Sequence, residues 1–420
     1  MRYTIMVKSY LSMDDFDLTG KTIFLRLDIN SPIDPKTGDI MDYSRFKAHL
    51  DTIRALDHSK VVIIAHQSRP GKKDFTSLYQ HSLALAKLLK RDIKYIDGLF
   101  DSRVIDEIKK LVPGDILMLE NTRFYAEEVV LANEPLEVQK KSNIVKKLAP
   151  YMDYLVNDAF AAVHRPQPTL VAFAEEVPML AGKLMDKEIT MLTKFMEFQE
   201  HPKIALFAGA KADDSIKVAK NMLEHKIVDQ ILTGGLVANI FLIAKGIDVG
   251  PINKEVLNKE IGNYEKLVSV AKEIIKNYEI VTPTDFAISA EGKRLEINVS
   301  ELEDSKQIMD IGIETIDNYK NIIKDAKSII LNGPLGVYEL PEFSDGTEEV
   351  FKAISELNAF KVAGGGHTIS AISKMGLNRK FDHISVGGGA LISFLAGDDL
   401  PVIEALKKSK LIFEKKVIGK

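Results

Sequence analysis

Short apolar runs alternate with helical segments along the whole chain, and this alternation restricts the fold more than any other feature. Helical periodicity is clearest over 43–56, 82–91 and 104–111. Strands that are apolar throughout, separated by helices of roughly 10–20 residues, are typical of parallel sheets covered on both faces. In the first part of the chain the strand candidates are TIFLRLDI (22–29), VVIIAH (61–66), IKYI (93–96), DILMLEN (115–121) and YLVND (154–158).

The second part repeats the pattern with a different composition. Of the 26 glycines 20 follow residue 200, whereas 9 of the 11 arginines precede it. Arginine forks suit carboxylate or phosphate oxygens, and glycine lets the backbone approach a nucleotide closely. We predict an α/β fold of two doubly wound, Rossmann-like parallel-sheet domains joined by a long helix. The strand candidates of the second are IALFAG (204–209), QILTGG (230–235), IVTPTDF (280–286), SIILNGP (328–334), FKVAGGG (360–366) and HISVGGG (383–389).

The change in composition near residue 200 also suggests where the domains meet. Leu184, Ile189 and Leu192 recur at helical spacing there, which predicts a connecting helix. The alternative is that this helix belongs to the second core. For a chain of 420 residues, two or three domains of about 100–200 residues are expected. We predict a first domain over 1–177, an interdomain helix over 178–200 and a second domain over 201–398. A C-terminal segment over 399–420 follows, and one arrangement is that it returns to the first domain.

Charge, cysteine content and motif searches exclude several functions. The formal charge of −4 gives no basis for a nucleic-acid or membrane-surface partner. The absence of cysteine excludes disulfides, thiolate metal sites and cysteine nucleophiles. No signal-peptide pattern and no apolar run of about 20 residues occurs, so we expect a cytoplasmic protein. The motifs GxGxxG, GxxxxGK[ST], HExxH and GxSxG do not occur, which argues against dinucleotide dehydrogenases, P-loop enzymes and the corresponding hydrolases.

Charged side chains follow the strands of the first part. Ligands of open α/β sheets bind beyond the carboxyl ends of the strands. A single arginine there is readily explained as a surface residue or an ion-pair partner. Several at the ends of separate strands are costly together unless an anion neutralises them, so they predict a site for a small, multiply anionic molecule. The residues concerned are Asp28, Asn30, Arg45, His66, Arg69, Arg123 and Arg165.

The strand ends of the second part carry backbone loops in place of side-chain charge. Lys211 in GAK (209–211) is placed to reach a phosphate, and GGGHT (364–368) stands at a strand-to-helix junction, where helix amides attract phosphate. The pair Gly234-Gly235 and the turn NGPLGVYE (332–339) close two further strands. Each loop alone is consistent with a tight turn, but together with a lysine they favour a nucleotide.

The motifs RLDINSP, SRFKAH, HQSRPG, ENTRF, DAFAAVHR, GAKADDS, LNGPLGVYE, VAGGGHT and SVGGGALISFL occur in this order from about residue 15 to 400. In order and spacing the chain resembles the phosphoglycerate kinase family, and its second-domain loops resemble the archaeal branch. The resemblance implies reversible phosphoryl transfer between ATP and the carboxylate of 3-phosphoglycerate, giving ADP and 1,3-bisphosphoglycerate, in glycolysis and gluconeogenesis. It also implies a monomer or small homo-oligomer.

The resemblance carries roles over to matching positions. Arg45, Lys211 and Gly365 would be catalytic, and no residue is expected to ligate a metal directly. The acid site would comprise Asp28, Asn30, Arg45, His66, Arg69, Arg123 and Arg165. The nucleotide site would comprise Gly209, Lys211, Gly234, Gly235, Asn332, Pro334, Glu339, Gly365, Gly366, His367 and Thr368.

The implied chemistry agrees with these residue types. A carboxylate nucleophile with a pKa near ~4 is already ionised at neutral pH, so no general base is required. The remaining work is positioning two anions and stabilising charge on the transferred group, which suits Arg, Lys, backbone amides and Mg²⁺ bound as the MgATP or MgADP complex. Because acyl phosphate hydrolyses readily, we expect the two domains to close and exclude water.

Three positions depart from the family pattern. His367 stands where most relatives carry an aspartate, Ser215 where many carry a second lysine, and Leu331 where a tryptophan is common. Imidazole is a poor ligand for Mg²⁺, so His367 is expected to contact a nucleotide phosphate; the alternative is a solvent-facing cap residue. Two other functions remain open at this point, a non-catalytic anion-binding regulator and a kinase of another small acid.

Overall fold

Two parallel β-sheets organise the chain, one in each of two units. The computed structural model describes residues 8–290, 292–302 and 306–417. The first unit runs to Thr190 and resumes at Asp399, and the second unit spans Met191–Asp398. The predicted fold class, two α/β domains with parallel sheets, is therefore confirmed.

The sheet of the first unit has six parallel strands in the order β3-β4-β2-β1-β5-β6. Ile23, Phe24 and Leu25 of β1 are all fully buried, although successive side chains point to opposite faces, because helices cover both faces of the sheet. The strands are β1 Thr22–Arg26, β2 Lys60–Ile64, β3 Lys94–Tyr95, β4 Ile116–Met118, β5 Tyr154–Asn157 and β6 Met179–Ala181.

Two elements of this unit differ from the expectation. The helix predicted over 43–56 is interrupted at His49, and the segment 179–181, predicted to open the connecting helix, is instead strand β6, paired with β5. Sheet pairing thus overrides local helical spacing at this point. The helices are α1 Ser44–Ala48, α2 Leu50–Arg54, α3 Tyr79–Leu89, α4 Ser102–Lys110, α5 Ala126–Val130, α6 Leu136–Gln139, α7 Asn143–Leu148, α8 Pro168–Val171 and α9 Lys183–Met196.

The second unit contains another six-stranded parallel sheet, in the order β15-β14-β13-β7-β8-β9. Its strands are β7 Lys203–Phe207, β8 Gln230–Thr233, β9 Ile280–Val281, β13 Ser328–Asn332, β14 Phe360–Gly364 and β15 His383–Ile384. The helices around it are α10 Ala212–Glu224, α11 Gly235–Ala244, α12 Gly250–Ile261, α13 Glu265–Asn277, α14 Ile313–Ile323, α15 Asp345–Glu356, α16 Gly366–Lys374 and α17 Gly389–Leu395.

A three-stranded antiparallel sheet, not predicted from the sequence, is inserted between β9 and β13. It consists of β10 Asp285–Ala290, β11 Lys293–Asn298 and β12 Ile308–Ile311. The run 280–286 was expected to be one strand, but it divides into β9 and the start of β10, which belong to different sheets. The edge strand β11 is polar and largely exposed, so it lacks the apolar signal on which the prediction rested.

Helix α9 carries the chain across the boundary between the units, which falls between Thr190 and Met191. After the second unit, helix α18 (Pro401–Val417) lies against the first unit. There the Val402 amide donates to the Val163 carbonyl, and Ser409 Oγ accepts from the Met179 amide at 2.8 Å. None of the described helices is both long and apolar enough to span a membrane.

Candidate active site

Parallel strands of the first unit end at one edge, and this brings distant parts of the sequence together. Asp28 follows β1 and His66 follows β2. Arg123 lies in a 3₁₀ turn after β4, capped by Asn121 Oδ1, which accepts from the Arg123 amide at 3.1 Å. The residues singled out from the sequence thus meet because their strands are neighbours in the sheet.

An arginine that the sequence analysis did not single out is central to this edge. Arg26, the last residue of β1, is 1% exposed. Its Nη2 lies 2.9 Å from His66 Nδ1, its Nη1 donates to the Leu27 carbonyl, and its Nε donates to Thr169 Oγ1 at 3.1 Å. The signal available in the sequence was an arginine inside an otherwise apolar strand, since such a charge must be buried among polar partners.

Glu128 is the buried acid of this group. Its Oε2 accepts from the Thr169 amide at 3.0 Å. Burial raises the pKa of Glu128, and the opposing attraction of Arg26 only partly offsets that rise. Burial likewise lowers the pKa of the Arg26 guanidinium. Keeping the buried Arg26 guanidinium charged therefore costs free energy of folding.

His66 lies between two guanidinium groups. Its Nδ1 faces Arg26, and its Nε2 lies 3.3 Å from Arg165 Nη1. Burial, followed by repulsion from Arg26, holds the pKa of His66 well below its ordinary value of 6.5. A neutral imidazole has one acceptor nitrogen, so it cannot accept from both arginines at once.

Arg123 and Arg165 add further positive charge. Arg123 is 9% exposed, and its Nη1 donates to the Ser68 carbonyl. Burial and the neighbouring Arg165 lower the pKa of Arg123 to about 10. Burial also lowers the pKa of Arg165. The guanidinium groups are thus held close together in a place where a bound anion would relieve their repulsion.

Three of the predicted arginines line one cavity of about 330 Å³. Arg69 is exposed, and Arg165 is partly buried. His66 lies behind the cavity, in contact with Arg165, and is not among the lining residues. The lining residues are Arg69, Pro70, Arg123, Val129, His164, Arg165 and Gln167.

Asp28, Asn30 and Arg45 form a separate, neighbouring group. Arg45, in α1, places its Nη1 2.6 Å from Asp28 Oδ2. Burial alone would raise the pKa of Asp28, but the charge of Arg45 holds it well below its usual value. Asn30 Oδ1 accepts from the Ser68 amide at 2.8 Å, so it fixes the loop that leads into Arg69.

The second unit has a cavity of about 290 Å³ beyond the ends of β7, β13 and β14. Helices α10, α16 and α17 begin beside it, with Lys211, Gly365 and Gly388 as their N-cap residues. Helix N-termini present unpaired amides and partial positive charge, which suits phosphate. The predicted residues that line the cavity are Gly209, Lys211, Asn332, Pro334, Gly365, Gly366, His367 and Thr368.

Glycine is required where the loops of this cavity meet. Gly365 has φ +88°, and a Cβ there would lie 2.2 Å from Asn332 Oδ1. Gly235 has φ +52°, and its Cβ would lie 2.7 Å from the Gly209 amide nitrogen. Gly234 and Gly235 are not among the lining residues; Gly235 lets the loop containing Gly209 approach closely, and Gly234 leaves room for Leu335. Their place in the structure is therefore behind the cavity wall.

His367 lies at the rim of this cavity and is 76% exposed in its side chain. Its Nδ1 is 3.5 Å from Glu339 Oε1, and Glu339 is 54% exposed. Glu339 itself does not line the cavity. The structure thus pairs these two predicted residues across a sequence separation of 28 positions.

Two further residues line this cavity, Asp214 and Ser215, and neither was assigned to the nucleotide site from the sequence. Ser215 is 1% exposed, lines the cavity, and its Oγ has no hydrogen-bond partner within the described chain. Asp214 lines the same cavity, and burial and then the nearby Asp213 raise its pKa. A buried hydroxyl without a partner calls for a ligand or solvent atom to complete it.

The donor set bears on Mg²⁺. Among the described residues no group of three or more His, Asp or Glu side chains is arranged to hold a metal ion. Mg²⁺ prefers oxygen ligands and retains several waters, with few protein carboxylates and the phosphates of a nucleotide. The cavity with one carboxylate, Asp214, fits a metal that arrives with a nucleotide.

Comparison with known proteins gives one consistent family. The family model described as phosphoglycerate kinase matches residues 13–398. The phosphoglycerate kinase of Thermoplasma acidophilum is 50% identical over 407 residues, covering 96% of this chain and 99% of that protein. That of Methanococcus maripaludis is 48% identical over 410 residues, covering 95% and 98%. The crystal structure of phosphoglycerate kinase from Pyrococcus horikoshii OT3 matches with a TM-score of 0.86 and 45% identity, covering 96% of this chain and 100% of that one.

Proposed function

The chain belongs to the phosphoglycerate kinase family, and from that premise we propose that its two cavities divide the family's reaction, the acid binding in the first unit and the nucleotide in the second. The reaction is reversible phosphoryl transfer between ATP and the carboxylate of 3-phosphoglycerate, a step of glycolysis and gluconeogenesis. We place the enzyme in the cytoplasm, where that pathway runs.

The observation that carries the division is the cationic group of the first unit. Arg26, Arg123 and Arg165 surround His66, and the pKa values of all four groups are lowered. The phosphate group of a small acid would neutralise this charge. Arg69, Arg123 and Arg165 would bind the phosphate of 3-phosphoglycerate, since they line the cavity.

The acid's carboxyl end would lie toward Asp28, Asn30 and Arg45. Arg45 keeps Asp28 ionised, so the Asp28 carboxylate would accept a hydrogen bond from the substrate's hydroxyl group. Arg45 would leave this ion pair and contact the transferred phosphoryl group, where it would stabilise the negative charge that develops during transfer. Because the attacking carboxylate needs no deprotonation, the protein's task is alignment and charge stabilisation.

In the second unit the triphosphate would lie across the starts of α10 and α16. Backbone amides after Gly365, the Lys211 ammonium and the Ser215 hydroxyl are the donors that the cavity offers. When bound as the nucleotide complex, Mg²⁺ neutralises phosphate charge. Asp214, the carboxylate that lines the cavity, would help to hold this complex by accepting hydrogen bonds. Gly234, Gly235 and Glu339 would shape the adenosine side.

Transfer in line requires the two bound anions to meet, so we infer that the units close on each other when both ligands are bound. The support is that the proposed acid and nucleotide residues lie in different units, connected through α9. Small-angle X-ray scattering should show the radius of gyration falling only with both ligands present. A constant radius across apo, binary and ternary samples would contradict closure.

The assay for the activity follows acyl phosphate formation from ATP and 3-phosphoglycerate. Arg69→Ala should weaken 3-phosphoglycerate binding by about 1.5–3 kcal/mol and leave ATP binding unchanged, because a charge-assisted contact is lost. Lys211→Ala should do the reverse. Arg103→Ala is the matched control, since Arg103 is exposed and pairs only with surface aspartates. Equal weakening of both ligands in either variant would contradict the division, and turnover of another acid in preference would identify a different kinase.

A further inference from the structure

His49 is a buried histidine that interrupts the first helical segment, between α1 and α2, and is 2% exposed. Its Nδ1 lies 2.7 Å from Asp158 Oδ2. Because an ionised carboxylate only accepts, Nδ1 carries the proton and donates it. The imidazole orientation is thereby fixed from one side.

The other ring nitrogen faces the backbone of Asp28. His49 Nε2 lies 3.2 Å from the Asp28 amide nitrogen and 3.1 Å from the Asp28 carbonyl oxygen. A neutral ring accepts from the amide, and a protonated ring donates to the carbonyl. In both states the ring holds the peptide of the residue whose carboxylate pairs with Arg45 at 2.6 Å.

Asp158 connects this contact to the start of α9. Its side chain is fully buried, and its Oδ1 accepts from the Leu184 amide at 2.9 Å and the Met185 amide at 3.2 Å. Thr52 Oγ1 accepts from the Lys183 amide at 3.1 Å. The first amides of a helix have no partner within the helix, so these side chains fix where α9 begins. This helix continues past Thr190 into the second unit.

We propose that His49 is a positioning residue for phosphoryl transfer. By holding the Asp28 peptide it sets the position of the Asp28–Arg45 pair, and through Asp158 it ties that position to the first turn of α9. The inference rests on the proposed function, in which Arg45 acts on the transferred group. His49 itself touches neither ligand in this scheme.

Two substitutions separate the two ends of the imidazole. The amide nitrogen of Asn can take the place of Nδ1, and that of Gln can take the place of Nε2. His49→Asn should keep the donor to Asp158 and the melting temperature, but lower kcat roughly tenfold to hundredfold, since Arg45 is misplaced. The KM for ATP should not change. His49→Gln should lower the melting temperature, because Asp158 loses its donor, while its kcat recovers toward the wild-type value.

Thr52→Val is the matched control. It removes a cap of α9 without touching Asp28, so it should lower the melting temperature and leave kcat unchanged. A wild-type kcat in His49→Asn would overturn the inference, as would a loss of kcat in Thr52→Val as large as that in His49→Asn. Inactive wild-type enzyme would overturn the proposed function and this inference together, whereas active wild type with an equally active His49→Asn overturns the inference alone.

Discussion

Replacing Arg123 with methionine should stabilise the unliganded protein while weakening its binding of substrate. Burial and then the neighbouring Arg165 lower the pKa of Arg123 to about 10, and each unit of pKa corresponds to about 1.36 kcal/mol. At neutral pH the guanidinium is charged in both states, and a lowered pKa means that folding disfavours the charged form. Arg123 therefore costs about 3 kcal/mol of stability before its contacts are counted.

The contacts that Arg123 makes reduce the stability gained by replacing it. Arg123→Met removes the hydrogen bond to the Ser68 carbonyl, worth about 1 kcal/mol, and keeps an apolar side chain of similar reach. We expect the free energy of unfolding of the variant to exceed that of wild type by up to about 2 kcal/mol. Substrate at 100 times the wild-type dissociation constant stabilises wild type by about 2.7 kcal/mol and the variant much less, so 3-phosphoglycerate should remove most of the difference between them.

Urea denaturation followed by circular dichroism is the appropriate assay, since the chain contains no tryptophan. We expect 3-phosphoglycerate to move the unfolding transition of the first unit, since that unit contains the proposed acid site. Arg103→Met is the control, because Arg103 is exposed and should change little in either condition. An Arg123→Met protein less stable than wild type without ligand would refute the reasoning, since the contacts would then outweigh the repulsion among the cations.

Three further predictions concern other parts of the molecule. Burial lowers the pKa of His81 to about 4. Below pH 6.5 this histidine binds a proton in the unfolded chain but stays neutral in the folded protein, so the free energy of unfolding should fall by about 3 kcal/mol between pH 6.5 and 4. Urea unfolding of His81→Gln across that pH range should show a weaker dependence of the free energy of unfolding on pH. An unchanged dependence would mean that His81 is not the group responsible. Gly365→Ala should reduce ATP affinity at least about tenfold in calorimetric titrations. The reasons are that left-handed backbone costs a non-glycine residue about 1–2 kcal/mol and that the new Cβ meets Asn332. Unchanged ATP binding would show that the loop tolerates a side chain. Ser215→Ala should weaken ATP binding about fivefold without lowering unfolding stability, since its hydroxyl has no partner within the described chain; equal affinity would mean that the hydroxyl contacts solvent only.

The sequence alone was sufficient for the strands of the two parallel sheets other than β6, and for about half of the residues that line the two cavities. Alternation of apolar runs and helices encodes which faces are buried, and the end of a parallel strand is the place where a ligand binds. Arg69, Arg123 and Arg165 share a cavity for this reason, as do Lys211 and Gly365 in the second unit. Both sets could be selected from local pattern because each residue lies in the segment that follows a strand.

Only the tertiary structure decided the partners of buried polar groups. Whether Arg26 meets His66, 40 positions away, depends on the adjacency of β1 and β2, which no local pattern specifies. The same holds for His49 and Asp158, whose bond joins a helix break to a strand end 109 positions later. Local periodicity determines the face on which a side chain lies, but the cost of burying a charge is set by whichever groups the fold brings against it.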